Sequence, residues 1–388
     1  MKLVKSENAD LLTWCREEDR WLRDTIETLV RLESPSTDKA AVDRCGTEIA
    51  SRLTAIGGRV ERLVQRERGD HLRAEFGDGR RQLMLLGHFD TVWPIGQLDR
   101  MPLREQDGRL YGPGIFDMKS GLAIGMLAVR AVLTHRTTTA PRIVMIWNTD
   151  EEIGSGTSRP IIEAEARRSD AVLVLEPSLP GGAAKTSRKG CGDFQLTVHG
   201  ISAHAGIDPG KGASAIHELA LQIAELTQLQ DLARGISVNV GMVSGGSRTN
   251  VVAERAQASI DVRVPTMADA AQVEQAFAEL RPRLKGTRLE IHGGVERPPL
   301  ERSAHVLRLY ERARAVAATL GRELGEGGTG GGSDGNFTAA LGVPTLDGLG
   351  PRGDGAHAIH EHVEVEDLAW RAAFIAALLA DLASAEAS

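Results

Sequence analysis

The stretch Leu83-Met84-Leu85-Leu86-Gly87-His88-Phe89-Asp90-Thr91-Val92 decides the fold. Four consecutive apolar residues are too few for a helix of normal length and are closed at once by Gly87, the pattern of a strand buried on both faces of a parallel sheet. The strand runs straight into a histidine and an acid. In open α/β sheets the chemistry gathers just past the carboxyl ends of the strands. His88 and Asp90 therefore stand where an imidazole can bind a metal while a nearby carboxylate orients it. A lone His-x-Asp pair also occurs as a surface or capping feature, so the other strand ends carry the weight.

Two of them match. Ile143 to Trp147 is another short apolar strand and runs into Asn148-Thr149-Asp150-Glu151-Glu152; Val172 to Leu175 is a third and ends in Glu176-Pro177. Three adjacent acids repel one another unless a cation lies among them, the alternative being a solvated acidic turn. Separate strands thus deliver His88 and Asp90, Glu151 and Glu152, and Glu176 to one edge of one sheet. Between them, the Gly/Pro loop Gly112 to Gly121 opens onto a helix over Leu122 to Leu133, with Asp117 just ahead of it, where an N-cap or first-turn carboxylate would also sit.

The chain has 388 residues, more than one core normally supports, so two domains are expected. With 41% hydrophobic and 26% charged residues it has the composition of a soluble globular protein. A net charge of −7 gives no electrostatic reason to expect nucleic acid as a partner. Met1 to Arg20 is polar, and no run of apolar residues is long enough to span a membrane, which reads as a cytoplasmic protein with no membrane partner. Cys15, Cys45 and Cys191 are odd in number, far apart and without a CxxC pair, so neither a disulfide framework nor a thiolate zinc site is indicated.

Apolar periodicity marks helices through Trp21 to Val30 and Val42 to Ile56, the second stopped by Gly57-Gly58, and strands near Arg59 to Leu63, Leu72 to Phe76 and Gln82 to Leu86. From about Gly190 the pattern changes. Strand signals at Phe194 to Val198, Ile236 to Val243, Ala258 to Val264 and Leu289 to Ile291 alternate with helices at Ala213 to Leu229 and Ala270 to Leu284. That β-α-β-β-α-β order is ferredoxin-like. Because signals of the first kind resume at a helix over Ala304 to Leu320, a strand near Pro344 to Asp347 and a final helix over Val365 to Leu382, residues 190–297 form an inserted domain. The first domain is then discontinuous, 1–189 and 298–388.

The loop Gly327 to Asp334 lacks the spacing of a phosphate loop or a dinucleotide fingerprint. Its glycines, Gly331 among them, suit close approach of backbone N–H groups to a substrate, or a merely flexible loop. Beyond it, Gly355-Ala356-His357-Ala358-Ile359-His360-Glu361-His362-Val363 holds three of the chain's eleven histidines between a strand and a core helix, a place suited to a fixed metal ligand.

Taken together, His88-Phe89-Asp90-Thr91-Val92, the Gly112 to Gly121 loop, Thr149-Asp150-Glu151-Glu152, Glu176-Pro177 and Gly355-Ala356-His357 resemble the motifs of the M20 family of zinc metallopeptidases, above all its glutamate carboxypeptidases. The likeness runs over nearly the whole chain. It implies a dizinc aminopeptidase/carboxypeptidase-like α/β catalytic domain with an inserted ferredoxin-like α+β dimerisation or lid domain, acting as a homodimer. By the same resemblance Asp117 bridges two zinc ions, His88 and Glu176 complete one site, and Glu152 and His357 the other; His360 is the alternative to His357. Cobalt or manganese could replace zinc on such ligands. Glu151 would be the general base, taking a proton from the attacking water and passing it to the leaving nitrogen. Asp90 would fix the tautomer of His88, and the peptide Asp117-Met118 would be cis.

In the insert, Gly200-Ile201-Ser202-Ala203-His204-Ala205-Gly206 resembles the family's histidine motif, which would send His204 to a partner subunit's oxyanion. Asn250 would donate to oxyanion or substrate, and Arg263 and Arg297 would bind a substrate carboxylate, although an edge-strand or rim ion pair accounts for either arginine. The implied reaction is hydrolysis of an amide in a small peptide or N-acyl amino acid with a free C-terminal carboxylate. A deacylase of the acetylornithine deacetylase or aminoacylase kind, and a noncatalytic metal-binding homologue, are the competing expectations. Met118 departs from the glutamate carboxypeptidases, which often place a second acid there.

Overall fold

A computed structural model describes residues 2–135 and 141–384, the side chains of residues 2–7 excepted. The chain forms two compact units, one of residues 1–187, 302–328 and 333–388, the other of 188–301 and 329–332. The short piece 329–332 was expected with the first unit. It groups with the second because Lys189 donates its N–H to the Thr329 carbonyl at 3.1 Å and Arg188 Nη1 donates to the Gly332 carbonyl at 2.9 Å.

The first unit is built on a six-stranded sheet in the order Arg59–Leu63, His71–Phe76, Arg142–Asn148, Gln82–His88, Ala171–Val174, Thr345–Leu346. The first two pairings are antiparallel; from Arg142–Asn148 onward all are parallel. Alternate residues serve two cores. Leu83, Leu85, Ile143, Met145 and Trp147 lie in the larger one, Met84, Leu86, Val144, Ile146, Val172 and Val174 in the smaller. Both faces are covered, so these strands are apolar without alternation. Register then sets the chemistry: His88 lies opposite Asn148, and Leu86 opposite Val174, two residues before Glu176.

The larger core is closed by Asp19–Arg31, Lys39–Ala55, Ser120–His135 and Val365–Ser384. The last is buried on nearly every side and correspondingly apolar, apart from the buried ion pair of Arg371 with Asp367 at 2.7 Å. A helix over Lys2–Glu17 was not expected; it is held by Leu11 and Cys15 in the larger core, with Leu12 and Trp14 packed against it. Also unforeseen is a four-stranded sheet of Gly353–Asp354, His362–Glu364, Arg109–Tyr111 and Arg104–Gln106, whose strands are two or three residues long and leave almost no period-two signal. It places the 355–361 hairpin beside the start of the 112–121 loop, with His362 opposite Tyr111. The beginning of the glycine-rich loop is likewise a strand, Glu326–Thr329, paired with Ala184–Arg188.

The second unit carries the antiparallel sheet Ser237–Gly245, Arg255–Val264, Gly190–His199, Arg288–Arg297, the strand order of a ferredoxin-like fold. Phe194 and Phe277 stack at 3.9 Å in its core, between sheet and helix. The helix expected over Ala270 to Leu284 runs instead over Met267–Glu279. The Thr266 side chain caps it by accepting from Asp269 N, and Pro282, which has no N–H to give, lies just past its end. Among the described residues no helix is long and apolar enough to cross a membrane.

Candidate active site

At the carboxyl edge of the parallel strands the side chains of the first unit converge on Asp117. Its Oδ1 lies 3.2 Å from His88 Nε2, and its Oδ2 lies 3.4 Å from His357 Nε2. His88 Nε2 is also 3.4 Å from Glu176 Oε1, and His357 Nε2 is 3.1 Å from Glu152 Oε2. Donor atoms of His88, Asp117 and Glu152 all lie within 4.8 Å of one another. Two imidazole–carboxylate groups thus share one aspartate. Asp117 does not cap the following helix; it sits in an irregular turn, Ile115–Lys119, with a cis Asp117-Met118 peptide. Met118 is buried, its Sδ 3.4 Å from His88 N.

Asp90 organises the other side of His88. Its backbone carbonyl lies 3.1 Å and its Oδ1 3.3 Å from His88 Nδ1, which leaves Nε2 facing Asp117. The same carboxylate accepts the N–H groups of Glu151 and Glu152 at 3.3 and 3.2 Å and the Ser36 hydroxyl at 2.7 Å. One buried acid therefore fixes both the imidazole and the acidic turn. Of the three acids in that turn, Asp150 is structural: its Oδ2 accepts from Thr157 N, Thr157 Oγ1 and Ser158 N.

His357 sits at the tip of the 355–361 hairpin in a left-handed conformation, φ +62°, with its ring half exposed. Its neighbours go elsewhere: His360 Nε2 is 4.0 Å from Asp354, and His362 packs on Tyr111 with ring centroids 5.1 Å apart. Glu361, which sequence patterning gave no role in the site, ties this hairpin to the Asp117 turn. Its Oε1 accepts from Phe116 N and Asp117 N at 2.9 and 3.1 Å, its Oε2 from Gly114 N and Trp93 Nε1 at 2.9 and 2.8 Å. A lone glutamate inside a histidine-rich tract, four residues after His357, was the available signal. Lys119, also buried, donates to the Leu29 and Leu32 carbonyls at the end of the Asp19–Arg31 helix.

The charges press on one another. Burial lowers the affinity of His88 for a proton, but Asp117, Asp90 and Glu176 outweigh it and hold the imidazole well above its usual range. Asp117 and Glu152 draw His357 up to about 10. Burial, reinforced by Asp117, pushes Glu152 up to about 7. Burial works against the Asp117 carboxylate, yet His357 and His88 keep it far below the usual carboxylate range. A divalent cation would neutralise these acids while leaving both imidazoles neutral, as ligation requires. The donor set fits one: imidazole and carboxylate without thiolate, with Glu152 Oε1 buried and lacking a hydrogen-bond partner among the described residues. Val92, Ile95, Ile153 and Ile359 are exposed on the loops that carry His88, Glu152 and His357 in sequence.

The other predicted residues lie in the second unit. An isolated bridge pairs His204 with Val251, and Ala205 N donates to the Asn250 carbonyl, so the two motif segments run side by side. His204 Nδ1 accepts from Gly206 N and Ile207 N at 3.1 Å each, which places the proton of the neutral ring on Nε2. Arg263 and Arg297 stand opposite Cys191 from its two neighbouring strands, on the same sheet face. Arg263 is engaged with Asp261 at 2.7 Å and with the Cys191 thiol, the ion pair that sequence left open. Gly331 accepts from Arg188 through its carbonyl at 3.3 Å.

A mixed sheet covered on both faces, its parallel strands ending in imidazoles and carboxylates around a shared aspartate, defines a metal-dependent hydrolase of the peptidase and amidohydrolase class. The chain belongs to peptidase family M20/M25/M40, whose profile matches residues 84–381. It is 29% identical over 369 residues to carboxypeptidase G2 of Pseudomonas sp. (strain RS-16), covering 92% of this chain and 88% of that protein. It is 30% identical to succinyl-diaminopimelate desuccinylase of Acinetobacter baumannii (strain ACICU), covering 89% and 94%. In three dimensions it is similar to aminopeptidase PepT of Bacillus cereus, with TM-score 0.77, 24% identity and coverage of 94% and 99%.

Proposed function

We propose that the protein hydrolyses an amide bond in a small peptide or N-acyl amino acid bearing a free C-terminal carboxylate, as a glutamate-type carboxypeptidase. The observation that supports this most is Asp117, which faces His88 with one oxygen and His357 with the other beside the Glu151–Glu152 turn. His88, Asp117 and Glu176 would hold one zinc ion and Asp117, Glu152 and His357 a second. Bound there, the ions would supply Lewis-acid polarisation of the scissile carbonyl and activation of water. Glu151 takes the proton from that water and returns it to the leaving nitrogen. Asp90 keeps His88 in its ligating tautomer and holds the backbone under Glu151.

The roles proposed for the second unit are a carboxylate clamp by Arg263 and Arg297, backbone contacts at Gly331, and oxyanion donation by Asn250 and by His204 Nε2–H from a second copy of the chain. The exposed edge strand Ser237–Gly245, with Met242 and Val243 68% and 60% exposed, supports dimerisation through this unit. The likeness to desuccinylases favours a second reading, release of an acyl group from an amino acid at the same centre.

The test is amino-acid release by Zn2+-loaded protein, with a chelated control, from N-acyl glutamates, dipeptides and acetylated basic and neutral amino acids. Chelator-sensitive release of glutamate is expected; preference for an acetylated neutral or basic amino acid would move the assignment to a deacylase. Glu151→Gln should keep its zinc and lose turnover by about 10²–10⁴-fold. Unchanged turnover would remove Glu151 from the mechanism.

A further inference from the structure

The glycine-rich loop ends in Asp334, a buried carboxylate for which the reaction above has no use. One of its oxygens accepts from Asn148 Nδ2 and the other from the Ser155 hydroxyl. These two residues bracket the catalytic turn. Asn148 is the last residue of its strand, opposite His88, and its carbonyl accepts from Phe89 N at 3.0 Å. Ser155 closes the turn in a left-handed conformation, φ +59°, directly after Gly154 at φ +97°. Serine is disfavoured there by about 1 kcal/mol, a cost that the Asp334 contact helps offset. Inside the bracket, Asp150 accepts Ser155 N through its carbonyl at 2.7 Å, and Asp90 accepts Glu151 N and Glu152 N.

We propose that Asp334 is a positioning residue for the Glu151–Glu152 turn, clamping both ends so that general base and metal ligand keep their places relative to His88. This rests on the assignment of Glu151 and Glu152 above. Both clamping bonds come from neutral donors, the Asn148 amide and the Ser155 hydroxyl. An asparagine at 334 would keep its carbonyl oxygen on Asn148 and set its amide against the Ser155 hydroxyl, which rotates to accept.

The experiment compares Asp334→Ala, Asp334→Asn, Ser155→Ala and Thr338→Val. Thr338 makes its side-chain hydrogen bonds, both buried, to Gly335 and Thr345 and to no residue of the turn or the ligand set, so its variant controls for lost stability. Two readouts need no substrate: amide hydrogen exchange of the metal-free protein, and Zn2+ affinity by chelator competition. Asp334→Ala should lose protection at Glu151, Glu152 and Ser155 by at least about 10-fold and Zn2+ affinity by about 10–100-fold. Asp334→Asn should stay within a few-fold of the parent. Where a substrate is in hand, Asp334→Ala should lower kcat far more than it raises KM. Full protection and affinity in Asp334→Ala, or the same losses in Thr338→Val, would overturn the proposal. If Asp334→Ala does not fold, Ser155→Ala, which removes one of the two bonds, decides by the same readouts. A wild-type protein silent on every substrate would instead refute the functional assignment.

Discussion

Replacing Glu361 by glutamine probes the joint between the His357 hairpin and the Asp117 turn. Each oxygen of Glu361 accepts two N–H groups, Phe116 and Asp117 on one, Gly114 and Trp93 on the other. Whichever way the amide is turned, its NH2 meets two donors and two hydrogen bonds to a charged acceptor are lost. At about 1.5–3 kcal/mol each, that is roughly 3–6 kcal/mol. Part is recovered, because burial pushes the Glu361 carboxyl up and a neutral amide escapes that penalty. A net loss of about 2–4 kcal/mol follows. Urea unfolding of the metal-free protein measures it, and chelator competition should show Zn2+ affinity about 10–100-fold weaker as Asp117 loses its backbone anchor. A variant within about 0.5 kcal/mol of the parent, inside the range of an ordinary surface change, and equal to it in zinc affinity would refute the reasoning.

Without metal, the folded protein holds the His357 proton up to about 10, whereas the unfolded chain releases it near 6.5. The stability this group contributes is fully present below about 6.5 and is lost as pH rises through about 10. The gap in urea midpoint between wild type and His357→Gln should shrink over that range; a widening gap would contradict the assigned contacts. Gly121 lets its helix approach the end of the Ala171–Val174 strand closely, since a Cβ there would lie 2.1 Å from the Leu175 carbonyl oxygen. Gly121→Ala should cost about 1–3 kcal/mol in thermal or urea unfolding, and no loss would mean that the helix shifts freely.

The strands of the first unit were legible because both of their faces are buried, which leaves uninterrupted apolar runs from Leu83 to Leu86 and from Ile143 to Trp147. Their polar ends stood out against those runs. The small sheet under His357 was not legible, because strands of two or three residues carry too little pattern to register. Nor could spacing divide the labour in Asp150-Glu151-Glu152. That depends on Thr157 and Ser158 capturing Asp150, a contact that exists only once the turn has closed. Arg263 shows the converse limit. Sequence placed it on a strand with Asp261 two residues before, and only the folded register adds Cys191 beside it and Arg297 across from that thiol.

Asp117 offers one oxygen to the His88 side and the other to the His357 side. A single carboxylate divided in this way makes the two halves one thermodynamic unit. A cation on the first half would draw charge from the same group that the second half uses, and would fix its orientation. Were both halves filled, the two occupancies would be linked, and linkage is reciprocal: whatever factor filling one half imposes on the other is imposed in return. Stepwise zinc titration should accordingly give two coupled constants, and damage at His357 should be felt in the affinity of the half that contains His88.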